Sequence, residues 1–274
     1  NPITGWELIK NIRPGTDSYG RGYNSNPYGF EVCDDKLYFI ADDGDGSELW
    51  ITDGTEEGTK MVKDINPAEG GNSVVGYLTC FNDRLYLRAN DGTHGNELWT
   101  SDGTGSGTYM VKDLNLGTAS GFHGSTLFVF NDSLFFRGSN GSSSYELWKT
   151  DGTEDGTILV SDICPGPCSG FPYSPGIVLG EDIFYFRGTD ELHGTELWVS
   201  DGTELGTYMV MDILPGLESG IDGYSLGLSS TIVNGTDGYY LVFGADDGIF
   251  GYEPWKSDGT AEGTVMLTDL SFGS

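Results

Sequence analysis

Five copies of one segment constrain this chain more than any other feature. They are ELWITDGTEEGTKMVKDI at 48–65, ELWTSDGTGSGTYMVKDL at 97–114, ELWKTDGTEDGTILVSDI at 146–163, ELWVSDGTELGTYMVMDI at 196–213 and EPWKSDGTAEGTVMLTDL at 253–270. The leading Glu and the later Asp stand 16 positions apart every time: Glu48 and Asp64, Glu97 and Asp113, Glu146 and Asp162, Glu196 and Asp212, Glu253 and Asp269. Spacing held that strictly marks one supersecondary unit copied along the chain, and hence a repeat array.

One full repeat, GYLTCFNDRLYLRANDGTHGNELWTSDGTGSGTYMVKDL, contains four short β-rich runs separated by turn signals. Its Gly- and Asp-rich turns supply the positive φ angles that tight hairpins need. No segment keeps a helical period. The second run reads LYF, LYL, LFF, FYF or LVF, apolar on both faces, whereas a sheet open to water on one side alternates. Small sheets buried on both faces are those of a propeller, each blade packed between two others. The expected fold is all-β: a five-bladed β-propeller of four-stranded antiparallel blades, one domain over 1–274, with repeats near 16–65, 66–114, 115–163, 164–213 and 214–270. By analogy with WD-repeat blades, the strands run A to D outward and the repeated motif covers C and D. Trp50, Trp99, Trp148, Trp198 and Trp255 then read as packing residues. The Glu of each ELW has Arg88, Arg137 or Arg187 as a candidate partner on strand B of three repeats.

The pattern ELW-x-[ST]-DGT-x-x-GT-x-x-V-x-DI-x-PG resembles the family named for its ELWxxDGT repeat, found in large secreted and surface proteins, mostly bacterial. The resemblance covers nearly the whole chain and implies an extracellular repeat array, with no activity or catalytic residue to carry over. Departures are local: EPW at 253–255, and DLNLG and DLSFG in place of DI-x-PG after the second and fifth copies.

WELIKNIRPG at 6–15 aligns with the fourth-strand segment TYMVMDILPG, although five complete copies follow it. It is expected either to form a surplus strand on a blade edge, with 8–12 paired there, or to be left over from an upstream blade in a longer precursor; unpaired, it is a candidate to link molecules, because exposed edges invite association.

Net charge is −29, which disfavours nucleic acid and anionic membrane surfaces. No run of 18 apolar residues occurs, so no membrane insertion is expected. Asn1 opens directly into repeat-like sequence, as a mature form without its leader would. Cys164 and Cys168 in CPGPC are expected to form a local disulfide. Cys33 and Cys80 are offset by one residue in neighbouring repeats, so their side chains point to opposite faces of their strands; two buried thiols are the expectation and an inter-blade bridge the alternative. Sequons at Asn131, Asn140 and Asn234 lie in expected turns.

Length varies only between one copy and the next, in the A and B strands and the B-to-C and D-to-A loops. In a propeller those loops open on one face, where binding evolves. The B-to-C loops carry Asp42, Asp43 and Asp45, and again Asp246 and Asp247, beside glycines. Clustered carboxylates in Gly-rich turns suit calcium, although such aspartates also simply shape turns. The D-to-A loops carry Tyr23, Phe122, Phe171, Tyr173 and Tyr224, rings that suit sugar faces or fold back on their own core. His94, His123 and His193 read as occupying non-equivalent contexts, and no nucleophile elbow, zinc helix or phosphate loop is present. The expectation is a secreted, non-enzymatic, multivalent module binding a glycan or an extracellular matrix or surface component. The alternatives are a structural block that self-associates through its surplus strand, and a secreted glycan-active enzyme built on a carboxylate pair.

Overall fold

The computed structural model describes residues 7–68, 70–141, 145–171, 176–179, 182–221, 230–236 and 238–270, the side chains of 74, 75 and 124–126 excepted. Twenty strands form five four-stranded antiparallel sheets, each in chain order. The first blade is β1 (Tyr28–Cys33), β2 (Lys36–Asp42), β3 (Ser47–Thr52) and β4 (Lys60–Lys63); the second is β5 (Val74–Phe81), β6 (Arg84–Asn90), β7 (Asn96–Ser101) and β8 (Tyr109–Lys112). The third is β9 (Phe122–Phe130), β10 (Ser133–Gly138), β11 (Glu146–Thr150) and β12 (Ile158–Ser161); the fourth is β13 (Ile177–Leu179), β14 (Ile183–Asp190), β15 (Gly194–Ser200) and β16 (Tyr208–Met211). The fifth is β17 (Thr231–Gly235), β18 (Gly238–Asp246), β19 (Tyr252–Ser257) and β20 (Val265–Met266). The architecture is a five-bladed β-propeller. Two compact units divide it, Asn1–Phe122 with the first two blades and His123–Ser274 with the other three.

The third-to-fourth-strand hairpin explains why [ST]-DGT-x-x-GT never changes. In the fourth blade, Asp201 Oδ1 accepts the N–H and the hydroxyl of Thr203, and Thr203 Oγ1 accepts the N–H of Gly206. Thr207 donates to the Thr203 carbonyl, while Ser200 bonds Thr207 and accepts the Gly202 N–H. Only a hydroxyl is required at the first position, which is why Ser and Thr alternate there. A Cβ at Gly206 would meet Asp201 Cγ at 2.1 Å, and Gly202 has φ 86°, so both glycines are obligatory. The Thr hydroxyl and N–H also hold the Asp53, Asp102, Asp151 and Asp258 carboxyls below their ordinary pKa.

Three of the hairpins also key into the blade before them. In the first unit Gly103 sits where a Cβ would lie 2.8 Å from Tyr38 Oη. In the second unit Gly202 faces Phe135 and its carbonyl accepts Lys149 Nζ at 2.8 Å. Gly259 faces Ile183 and Tyr185, and its carbonyl accepts the Tyr208 hydroxyl at 3.3 Å. The Ile that follows the fourth strand in three of the repeats completes the key. Ile65 joins Leu87, Ala89 and Trp99 of the second blade, Ile163 joins Phe186 and Trp198 of the fourth, and Ile213 joins Phe243, Ala245 and Trp255 of the fifth. All five motif Trp are buried.

Three expectations are corrected. Residues 7–15 form no strand; the bridge nearby is Thr16 with Gly22. The best-matching part of 6–15, NIRPG against DILPG, corresponds to chain beyond the fourth strand, where Ile213 packs and no ladder continues. Ile12 does the same, lying on Phe39, Ala41, Trp50 and Met61 of the first blade. Cys33 and Cys80 form a disulfide rather than two thiols. Opposite faces of successive blades are the faces that meet, so the one-residue offset brings the sulfurs together. Cys164 and Cys168 are bridged as expected. The motif glutamates, finally, turn to backbone amides in place of arginines: Arg137 Nε donates to the Phe171 carbonyl at 2.6 Å and its guanidinium lies over Tyr145.

Candidate functional site

The loops after the second and fourth strands are organised around the buried motif Glu. Glu97 Oε2 accepts the Leu114 N–H and Oε1 that of Gly121; Glu146 takes Ile163 and Gly170; Glu196 takes Ile213 and Gly220. Glu48 accepts from Ile65 N–H and the Ser73 hydroxyl, and Glu253 from Leu270 N–H. One carboxylate per blade thus pins the chain leaving the fourth strand. Burial outweighs these bonds and pushes Glu48, Glu146 and Glu196 up to about 7 and Glu97 to about 8.

Beside this clamp the second-to-third-strand loops are built from Asx turns. Asp42 Oδ1 accepts the Gly44 N–H, Asp43 that of Asp45, Asp246 that of Gly248, and Asp247 those of Ile249 and Phe250. Asp42 also pairs with Arg13. Among the described residues no three His, Cys, Asp or Glu side chains stand together as a metal-ion site. Four of the five expected metal ligands, Asp42, Asp43, Asp246 and Asp247, thus shape their loops with their carboxylates, and Asp45 joins through its backbone N–H.

His94 and His193 prove equivalent. Each lies three residues before its motif Glu and bonds an Asp three residues earlier, Nδ1 to Asp91 at 2.7 Å and to Asp190 at 2.8 Å. Those bonds raise both imidazole pKa values. His123 is different, its ring tilted against that of Tyr145 with centroids 4.4 Å apart.

A cavity of about 360 Å³ opens in the first blade, lined by Asp43, Asp45, Glu48, Met61, Asp64, Asn66, Pro67 and Ala68. Glu48 is buried, Asp43 is half-buried, and Asp45 and Asp64 are exposed. Its counterpart in the third blade, with Asn140, Glu146, Trp148 and Asp162, has only about 30 Å³. Trp148 Nε1, buried there, has no protein acceptor.

The aromatic candidates separate. Phe122 and Phe171 are buried, Phe171 against Phe186 at 5.2 Å, so both fill the core beneath their loops. Tyr23 is exposed, with Arg13 over its ring. Tyr173 and Tyr224 lie outside the described residues. Asn131, Asn140 and Asn234 are exposed, Asn131 at φ 50° in its turn. A signal in the sequence marks the buried rings: Gly121, Gly170 and Gly220 each follow their Glu by 24 positions and precede Phe122, Phe171 and Ile221.

No protein-family model matches the sequence, and no curated protein matches it. Among solved structures it is similar to a puromycin hydrolase (15% identity, TM-score 0.49, 90% of this chain and 38% of that one). It is also similar to the β-propeller domain of the Trilobed protease from Pyrococcus furiosus (14%, 0.44, 90% and 71%) and to TolB from Acinetobacter baumannii (8%, 0.42, 88% and 53%). The chain spans about two-fifths of the length of the puromycin hydrolases. Identities and scores this low transfer no activity to it.

Proposed function

We propose that this propeller is an extracellular binding module without catalytic activity, and that its principal ligand is a carbohydrate held in the first-blade cavity. The observation that carries the reading is the lining of that cavity. Asp43, Asp45, Asp64 and Asn66 surround about 360 Å³ beside the apolar Met61, Pro67 and Ala68. Carboxylates and an amide accept and donate to ring hydroxyls, while apolar walls cover the C–H face of a sugar. The third-blade pocket is too small for a ring, so that blade does not share the role. Two disulfides support an oxidising, extracellular setting. A glycan array with the intact chain and with Asp43→Asn/Asp45→Asn tests the proposal. Glycan binding lost in the double variant, with an unchanged melting curve, is the expected result. An array without a hit, or a hit indifferent to both substitutions, refutes it.

A further inference from the structure

Asp212, which closes the Glu-to-Asp interval of its repeat, bonds neither the DGT turn nor the Glu196 clamp, so the recurrence of an Asp there in all five copies has another cause. Its Oδ1 is buried and finds no donor among the described residues. In the same blade Trp198 Nε1 is buried and finds no acceptor. Trp198 is 9% exposed and shares a core cluster with Ile163 and Phe171 of the third blade, inside the same compact unit. A carboxylate oxygen without a donor and an N–H without an acceptor are both costly in a packed interior.

The third blade shows where two such groups meet. Glu146, Trp148, Leu159 and Asp162 line one pocket of about 30 Å³, room enough for a water molecule. Leu147 stands opposite Ser161 and Trp148 opposite Leu159, with a bulge between. The fourth blade repeats that register, Leu197 opposite Met211 and Trp198 opposite Met209, with the same bulge. Asp212 follows Met211 as Asp162 follows Ser161, so it stands to Trp198 as Asp162 stands to Trp148. After burial, the charges of Asp162 and Asp212 raise the pKa of Glu146 and Glu196 further, which places each carboxylate beside its motif Glu.

The other blades carry parts of the same signature. Trp50 and Trp255 present a buried Nε1 without an acceptor, and Asp113 a buried Oδ1 without a donor. A species that joins the two groups must accept a hydrogen bond from the indole and donate one to the carboxylate. A metal ion cannot accept, and an anion would face the Asp charge at close range. Water does both and fits the volume.

We infer that the motif Trp and Asp of the third and fourth blades bind a buried water, a site that the repeat carries from blade to blade. In the fourth blade Trp198 Nε1 donates to the water and the water donates to Asp212 Oδ1, so both unpaired groups are satisfied at once. The Glu clamp holds the amides of the chain leaving the fourth strand, and the water ties the carboxylate of that same chain back to the third strand. The fixed 16-residue interval then has a physical reason at both ends. The site is internal and independent of any ligand in the first-blade cavity.

The test is a crystal structure of the intact chain that resolves ordered water, joined to melting curves of Asp212→Asn, Asp212→Leu, Trp198→Phe and the double variant Asp212→Leu/Trp198→Phe. The expected structure holds a water about 3 Å from both Trp198 Nε1 and Asp212 Oδ1, with a counterpart between Trp148 and Asp162. Asp212→Asn keeps an acceptor of the same size and should melt close to wild type. Asp212→Leu expels the water and strands the indole N–H, so its melting temperature should fall further. The double variant removes the stranded donor as well, and its loss should be smaller than the two single losses added together. A direct bond between Trp198 and Asp212, a dry pocket, an ion in the water's place, or losses that simply add would overturn the inference. Should Asp212→Leu fail to fold, the wild-type structure decides alone.

Discussion

Gly220 donates its backbone N–H to Glu196 Oε1 at 2.8 Å, while Oε2 of the same carboxylate accepts the Ile213 N–H at 3.1 Å. One buried side chain thereby ties the end of its own blade to the loop that enters the next. The equivalent pair recurs as Gly121 on Glu97 and Gly170 on Glu146.

Replacing Glu196 with Ala removes both acceptors and leaves two buried amides unsatisfied. The expected cost is about 2–5 kcal/mol, read as a lower urea midpoint at unchanged slope. Glu196→Gln keeps one carbonyl acceptor and should cost clearly less. Equal losses for the two variants would mean that packing volume, rather than hydrogen bonding, is what this position supplies.

Phe171 gives the opposite expectation from a surface ring. Buried against Phe186 and Trp198, it should cost about 3–5 kcal/mol when cut to Ala. Tyr23→Ala, at an exposed ring, should change the thermal midpoint little, with stability within about 0.5 kcal/mol. A Phe171→Ala protein that melts normally would return that ring to the surface.

The Cys33–Cys80 bridge closes a separation of 47 residues between the first two blades. The chain-entropy relation for such a loop gives about 4 kcal/mol, so Cys33→Ser/Cys80→Ser should lower stability on that order. Cys164→Ser/Cys168→Ser closes only 4 residues and should cost less. A larger loss at the short loop would count against an entropic origin.

What the sequence made legible, and what it did not, follows the same division between periodic and local information. Strand order and blade number were written in the fixed Glu-to-Asp spacing and in the turn chemistry of DGT. The Cys33–Cys80 pairing was hidden because a one-residue offset between repeats puts the two side chains on opposite strand faces, and opposite faces of successive blades are the ones that meet. The core alternative for Phe122 and Phe171 had its own sequence mark: the loops carrying them vary in total length, but the portion from Glu to Gly is constant, and constancy there signals a core insertion. The acidic aspartates were visible as residues, yet only hydrogen bonds such as Asp247 Oδ1 with two amides assign them to turns. The first-blade cavity had no sequence signature, since it depends on how far Asn66 and Pro67 stand from Asp43.

The motif glutamates also set the pH dependence of the fold. Their ordinary value is 4.5, and burial raises Glu48, Glu146 and Glu196 to about 7 and Glu97 to about 8. A carboxyl with a raised folded pKa holds its proton more tightly folded than unfolded. Its stabilising contribution is complete below pH 4.5 and is lost as pH rises through 7 to 8. His94 and His193 are also raised and act in the same direction, whereas the lowered carboxyls of Asp53, Asp102, Asp151 and Asp258 act only in acid, below about 4. The melting temperature should therefore fall from pH 5 to pH 9. Glu97→Gln, which cannot ionise, should flatten that slope by its own share, and His94→Asn/His193→Asn at half-buried imidazoles should flatten it little. A melting temperature that climbs across this range would show that the amide bonds to these carboxylates outweigh their burial.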